Sequence, residues 1–349
     1  MLTHFRFGSS AVHLAWALGL GTALSCSNES IEPGGERENV TLEWEAPGPD
    51  SSTPRYEAQG LVIEQKLYIF GGFVQGGGWP VTTDGEVFDL EARTWEPLGP
   101  APLPLTHAGR ATDGTYLYFA GGFVGDGPGG STNRCFRYDP AGDAWQEIEP
   151  LPAERGAGAL VHLGTKLHYF GGAVRPPDEN TISSDHTEHW ALDLTDPSAE
   201  WTSLAPLLHA RNHLGGGVAR GKIYAVGGQH LHDEQAGNQA SVEVYDPARD
   251  EWSEAASLPI PIGHLTSNTL EYEGRLLVIS GVTQESTKLA TIFSYDPEQD
   301  AWSELTPLPE QRHSPVSAIS ENTLVVAGGS KSTAREIRAQ TWVGTLSLD

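Results

Sequence analysis

The sequence predicts an all-β fold made of six copies of one four-stranded unit, and three observations predict it. Gly-Gly doublets begin at Gly71, Gly121, Gly171, Gly227 and Gly328, with Ser280-Gly281 in the remaining place, at successive spacings of 50, 50, 56, 53 and 48 residues. A lone tryptophan falls between doublets, at Trp95, Trp145, Trp201, Trp252 and Trp302. An apolar run of four residues stands before each doublet, from Leu67–Phe70 in the first unit to Leu324–Ala327 in the last. A period this long marks a repeat architecture and overrides a domain count taken from chain length. The chain therefore reads as one closed object.

Within a unit the elements follow in a fixed order. The apolar run is bulky, mostly β-favouring and stopped by glycine, which describes a strand of a buried sheet. A weaker strand precedes it across a tight polar turn such as Arg220-Gly221-Lys222. After the doublet comes a variable loop, then a third strand ending in Tyr-Asp-Pro or a variant, as at Tyr138, Tyr245 and Tyr295. Proline presets φ and the Asp side chain bonds the turn backbone, so this segment turns the chain into a fourth strand that carries the tryptophan.

An apolar strand, Gly-Gly, Tyr or Phe, Asp-Pro and Trp in this order resemble the kelch pattern, over roughly residues 40 to 346. The resemblance implies a six-bladed kelch-type β-propeller. Its ends test closure independently. Each tryptophan precedes the next doublet by 26 residues, or 28 for Trp252, and Trp44 precedes Gly71 by 27, so Trp44 holds a fourth-strand position with no unit before it. The last unit stops near Leu346, after its third strand. The N-terminal strand around Trp44 is expected to complete the last blade and remove the open sheet edges.

Ahead of the propeller, expected over residues 39–349, residues 1–25 read as an export signal: His4 and Arg6, an apolar stretch over 11–24, and Ala23-Leu24-Ser25-Cys26 at the cleavage position. That stretch is shorter than the roughly twenty residues a spanning helix needs. A small residue before Cys26 resembles the bacterial lipobox, which implies lipidation at Cys26 and a protein anchored at the cell envelope, in the outer membrane or periplasm, with plain secretion as the alternative. Residues 26–38 read as a flexible tether. The remaining cysteine, Cys135, starts a third strand and reads as a small buried hydrophobe.

The formal charge is −25, and Arg6 is the only Lys or Arg of the signal. Nucleic acid is excluded as a partner, because phosphate binding rests on clustered Lys and Arg. No phosphate-binding loop, dinucleotide fingerprint, nucleophile elbow or paired Cys-x-x-Cys is present. A monomer with a protein or carbohydrate ligand, and without a resident cofactor, is the expectation.

In a propeller the loops between second and third strands and the connections between units emerge on one face around the axis, where a rigid scaffold presents them. His107, His213, Thr266 and Ser314 lie fourteen residues before their doublets. Arg55, Arg155, Arg211 and Arg312 lie sixteen before, with His264 at that place in the fifth unit and His313 alongside. These positions form a polar ring suited to an anionic or hydroxylated ligand, since the guanidinium fork matches carboxylates. The same arginines are suited still better to pairing with acidic or carbonyl groups between units. Trp79, in Gly76-Gly77-Gly78-Trp79-Pro80, stands outside the repeat and is placed to stack on a sugar or to fold back on its sheet. A divalent-metal alternative takes His230 and His232 on one extended segment with Asp185, His189 and Asp233, because imidazole with carboxylate suits zinc, manganese or iron.

Three functions compete. The first is a non-enzymatic binding module. The second is an enzyme of sugar chemistry: the chain is similar in blade number and export to the kelch-built sialic acid mutarotases, with Glu57, His107 and His213 as acid–base candidates. The third is a metal-binding propeller. The first requires nothing beyond the repeats, and no catalytic residue is assigned.

Overall fold

The computed structural model describes residues 39–127, 129–177, 181–231, 237–331 and 336–349. The signal, the tether, Cys26, His232 and Asp233 lie outside the described residues.

Six four-stranded antiparallel sheets carry the fold. The first consists of Gln59–Ile63, Lys66–Phe70, Gly85–Asp89 and Thr94–Leu98, in sequence order from the inside outward. The apolar runs occupy the second strand of every sheet, and the Tyr-Asp segments end the third, at Cys135–Asp139, Val242–Asp246 and Ile292–Asp296. The innermost strands, Gln59–Ile63, Gly109–Thr112, Ala159–Leu163, Gly215–Ala219, Thr269–Tyr272 and Val316–Ser320, each touch the next, and the last touches the first. The sheets are therefore blades of a closed ring. The hydrophobic core is divided accordingly into clusters between neighbours: Leu277 and Ile279 of the fifth blade meet Leu324 and Val326 of the sixth, and Leu67 and Phe88 of the first meet Val325 and Val343.

Closure is by the N-terminal strand, as the phase of Trp44 requires. Val40–Trp44 pairs with Thr341–Leu348 in a register running from Val40 opposite Leu348 to Trp44 opposite Gly344. The outer tryptophans then clamp their blades to the ones before, Trp145 excepted, whose Nε1 has no hydrogen-bond partner among the described residues. The Nε1–H of Trp201 donates to Glu149 O at 3.0 Å, Trp252 to Ala205 O at 2.9 Å, Trp302 to Ala256 O at 2.7 Å, and Trp44 to Pro307 O at 2.7 Å. A second clamp uses an aspartate four residues after Tyr-Asp-Pro begins its turn. Asp250 accepts the Tyr245 hydroxyl at 2.8 Å and the Ala205 amide of the preceding blade at 2.9 Å; Asp300 does the same with Tyr295 and Ala256.

The doublets lock successive blades on the opposite, inner side. At Gly121, φ is +63°, and a Cβ there would run into the Arg155 carbonyl of the next blade, while Gly122 N donates to that same oxygen at 2.7 Å. Ser280 takes the left-handed conformation in the fifth blade, and its hydroxyl donates to the equivalent carbonyl, Arg312 O. A side-chain donor thus replaces the missing glycine.

Candidate functional site

In all six blades the connection entering the innermost strand pairs with the residues just after the doublet: Arg55–Tyr56 with Phe73–Val74, Leu105–Thr106 with Phe123–Val124, and bridges Gly156–Ala173, Asn212–Gln229, Gly263–Val282 and His313–Ser330. Loops and connections therefore share one face. At the next residue inward the chain turns into the axis with a positive φ each time: Glu57, His107, Ala157, His213, His264 and Ser314, between 43° and 60°. Six non-glycine residues in the left-handed region at one level are costly, of order 1–3 kcal/mol each, and such strain persists where the surroundings over-determine it.

This level gathers a buried cluster. Glu57 Oε2 lies 2.6 Å from His107 Nε2, and Glu57 Oε1 lies 3.0 Å from His264 Nδ1 and 3.3 Å from His313 Nε2. Ring centroids of His107 and His213 are 4.8 Å apart, His213 and His264 4.5 Å, and His264 and His313 4.6 Å. All five side chains are buried. Burial works to raise the Glu57 carboxyl, but the charge and hydrogen bond of His107, with hydrogen bonds from His264 and His313, outweigh it and hold the group well below the usual carboxylate range. Burial lowers His313 to about 4, against the opposing pull of Glu57. Asn212 Oδ1 accepts from His213 Nδ1, and Asn212 Nδ2 donates to Asp185 Oδ1 and, at 2.9 Å, to Leu231 O. A carboxylate among imidazoles at these distances can relay a proton or hold a cation.

The placement of His264 and Thr266 is corrected by this geometry. His264 belongs with His107 and His213, not with the arginines: Ile262 O accepts from Gly228 N as Arg211 O accepts from Gly172 N. The two extra residues of the fifth unit fall after His264, where Asn268 N turns back to Leu265 O at 3.0 Å, and this displaces Thr266 from the ring. The arginines, for their part, bond protein groups. Arg55 Nη2 donates to Glu86 at 2.6 Å and its Nη1 to Gly71 O and Asp84 O; Arg211 pairs with Glu243 and donates to Gly227 O and Ser241 O. Arg155 reaches Glu188 at 3.1 Å and lies over the Trp190 ring, and Arg312 bonds Glu310 and Gln340 over Trp342. Their Nη atoms bond neighbouring protein groups, while Nε of Arg155 and of Arg312 has no hydrogen-bond partner among the described residues.

Among the described residues the proposed metal set is only partly assembled. Asp185 Oδ2 and His230 Nδ1 are 2.7 Å apart, yet His189 turns into the core, with Nε2 3.0 Å from His168 Nδ1 and Nδ1 3.3 Å from Ala205 O. Trp79 sits at the rim with φ 57° and is 40% exposed, its ring edge-on to Tyr56 at 6.5 Å and Phe73 at 6.2 Å, while Tyr56 meets His313 at 5.6 Å. Cys135 is fully buried, and burial pushes its thiol up to about 12, which fits an inert hydrophobe. Sequence reasoning missed Asn212 altogether and named Glu57 only as an acid–base candidate, outside the polar ring. Its offset, fourteen residues before Gly71, is the same as that of His107 and His213 from their doublets, and it puts Glu57 in the ring with them. Farther along the innermost strands lies an axial cavity of about 480 Å³ lined by Leu61, Arg110, Thr112, His162 and Glu271. Arg110 is 8% exposed there, and burial lowers it to about 10.

The Kelch motif matches residues 54–102, 104–152 and 210–259. The chain is similar to Kelch-like protein 36 of Bos taurus, 38% identical over 77 residues, which is 22% of this chain and 12% of that protein. It is similar to beta-scruin of Limulus polyphemus, 37% over 91 residues, 26% of this chain and 9% of the relative. Kelch-like protein terF of Aspergillus terreus is 45% identical over 60 residues, 17% of this chain and 13% of its own length. The match thus spans 13% or less of each of these relatives. Kelch motifs on the first, second and fourth sheets, within a ring of four-stranded antiparallel sheets closed by the N-terminal strand, give the chain the fold of a kelch-type β-propeller.

Proposed function

We propose that the protein is an exported kelch interaction module, held at the cell envelope through a lipid on Cys26, whose loop face binds a protein or carbohydrate ligand. Kelch-repeat proteins generally act as protein-interaction modules, which favours this reading. One observation carries it: the exposed large hydrophobic residues among those described are Trp79 and Leu208, and both stand on the loop face. Trp79 lies in the loop after the first doublet, and Leu208 in the connection from the third blade to the fourth. An exposed tryptophan backed by Tyr56 and Phe73 supplies a large, rigid contact with little entropy to lose on binding.

The test is a glycan array and a peptide array probed with the labelled protein. Specific binding is expected to fall at least about tenfold in Trp79→Ala, the loss of a hot-spot aromatic. Binding that survives unchanged in the double variant Trp79→Ala, Leu208→Ser places the ligand elsewhere. The anchor has its own assay: Cys26→Ser should move the protein from the detergent-rich to the aqueous phase, and continued partition with membranes contradicts lipidation. The 2.6 Å approach of Glu57 to His107 favours a second reading, an acid–base site of a sugar mutarotase. Acceleration of N-acetylneuraminate anomer exchange, lost in Glu57→Gln, would establish it.

A further inference from the structure

The geometry points to a divalent transition-metal site on the propeller axis, with His107, His213 and His264 as ligands and Glu57 and Asn212 as the groups that orient them. Imidazole and carboxylate donor atoms of His107, His213 and His264, and of Glu57, His264 and His313, lie within 4.8 Å of one another in each group, and all are buried. Three imidazoles converging with a carboxylate form a donor set suited to zinc and its neighbours in the first transition row.

The surrounding bonds have the pattern a metal requires. A metal-ligating imidazole turns its other ring nitrogen to a carboxylate or carbonyl, which fixes its tautomer. Glu57 engages Nε2 of His107 and Nδ1 of His264, so the opposite nitrogen of each is the candidate donor atom. For His107 that atom is Nδ1, which is buried and has no hydrogen-bond partner among the described residues. Such an orphan is expensive unless something not yet in place satisfies it. The amide oxygen of Asn212 only accepts, so His213 donates from Nδ1 and carries its lone pair on Nε2. Asp185 holds the amide of Asn212 in that orientation.

The backbone supplies an independent observation. The residues at the axial level are Glu57, His107, Ala157, His213, His264 and Ser314, all at positive φ, and four of the six carry metal-binding side chains. A ring that needed only to close has no reason to place bulky histidines in a conformation unfavourable for them. Ala157 and Ser314 are the small members.

The experiment is zinc titration of the purified, chelator-treated protein by isothermal calorimetry, with metal content by mass spectrometry. One zinc per chain is expected. Affinity should fall at least about 100-fold in His107→Ala, His213→Ala and about 10–100-fold in Glu57→Gln, the range for loss of an orienting carboxylate. It should be unchanged in His162→Ala, which alters a histidine of the axial cavity instead. A measurement on the unaltered chain guards against a variant that does not fold. Its cobalt(II) derivative should show the intense visible bands of a four- or five-coordinate nitrogen–oxygen site. Absence of stoichiometric zinc, a weak octahedral cobalt spectrum, or full affinity in a folded His107→Ala, His213→Ala protein would overturn the assignment. None of these results bears on whether Trp79 binds a ligand, so the two readings fail separately.

Discussion

Truncating Leu42 to Ala asks how much of the ring depends on one short strand. Leu42 is 3% exposed and lies in the cluster shared by the fifth and sixth blades, with Leu346, Trp342 and Leu324. Removing three carbons from such a site costs about 2–5 kcal/mol, from lost transfer energy and from the cavity left behind. The upper part of that range is expected, because the strand is held by one partner strand and has no covalent neighbour in its sheet. In a domain of this size the midpoint of thermal unfolding shifts by roughly 2–4 °C per kcal/mol, so a fall of about 8–20 °C is the expected reading in scanning calorimetry. Glu43→Ala, on the exposed side of the same strand, should stay within about 0.5 kcal/mol of the parent. Proteolysis should also become faster in the segment following Trp44 for Leu42→Ala alone. Equal stability of the two variants would refute closure by this strand.

Other expectations follow from the buried polar groups. Arg211 and Glu243 are both fully buried and paired, so Glu243→Gln should cost about 3–5 kcal/mol in urea denaturation, and Arg211→Met with Glu243→Leu should recover much of it. His168 and His189 form a buried imidazole pair, and burial first, then neighbouring Lys166 and His162 for His168 and His168 itself for His189, lower them to about 4 and about 3. Their folded values lie below the ordinary value of about 6.5, so the unfolded chain binds more protons below that pH. Stability is full above about pH 6.5 and should fall by up to about 1.4 kcal/mol per pH unit per histidine as pH drops toward 4. Denaturation midpoints measured across this range should flatten in His168→Gln, His189→Gln. Tyr295→Phe should cost about 1 kcal/mol and Asp300→Ala more, since Asp300 also receives the Ala256 amide from the neighbouring blade.

The scaffold was legible because it repeats. A glycine forced by close approach of the next blade, a tryptophan that clamps the previous one and an apolar second strand recur at one phase, and Trp44 exposed the closure by keeping that phase outside any complete unit. The site was legible only in part, for the opposite reason. Its members sit one per blade, so their proximity is a property of the closed ring and not of any local segment. Offsets found His107 and His213, but the insertion after His264 broke the count and put that residue in the wrong class. Arginines looked like ligand donors because a recurring charge reads the same whether its partner is a ligand or Glu86 and Glu243 within the blade. His189 shares a short segment with Asp185, yet strand alternation sends its side chain to the core. Asn212 gave no signal, since its part is played through His213.

The axial site is tested most directly by anomalous diffraction from crystals of the protein grown with zinc. A single strong peak about 2.0–2.1 Å from a nitrogen of each of His107, His213 and His264 is the expected result. Zinc confined to surface sites such as the Asp185–His230 pair, with no peak on the axis, would contradict it.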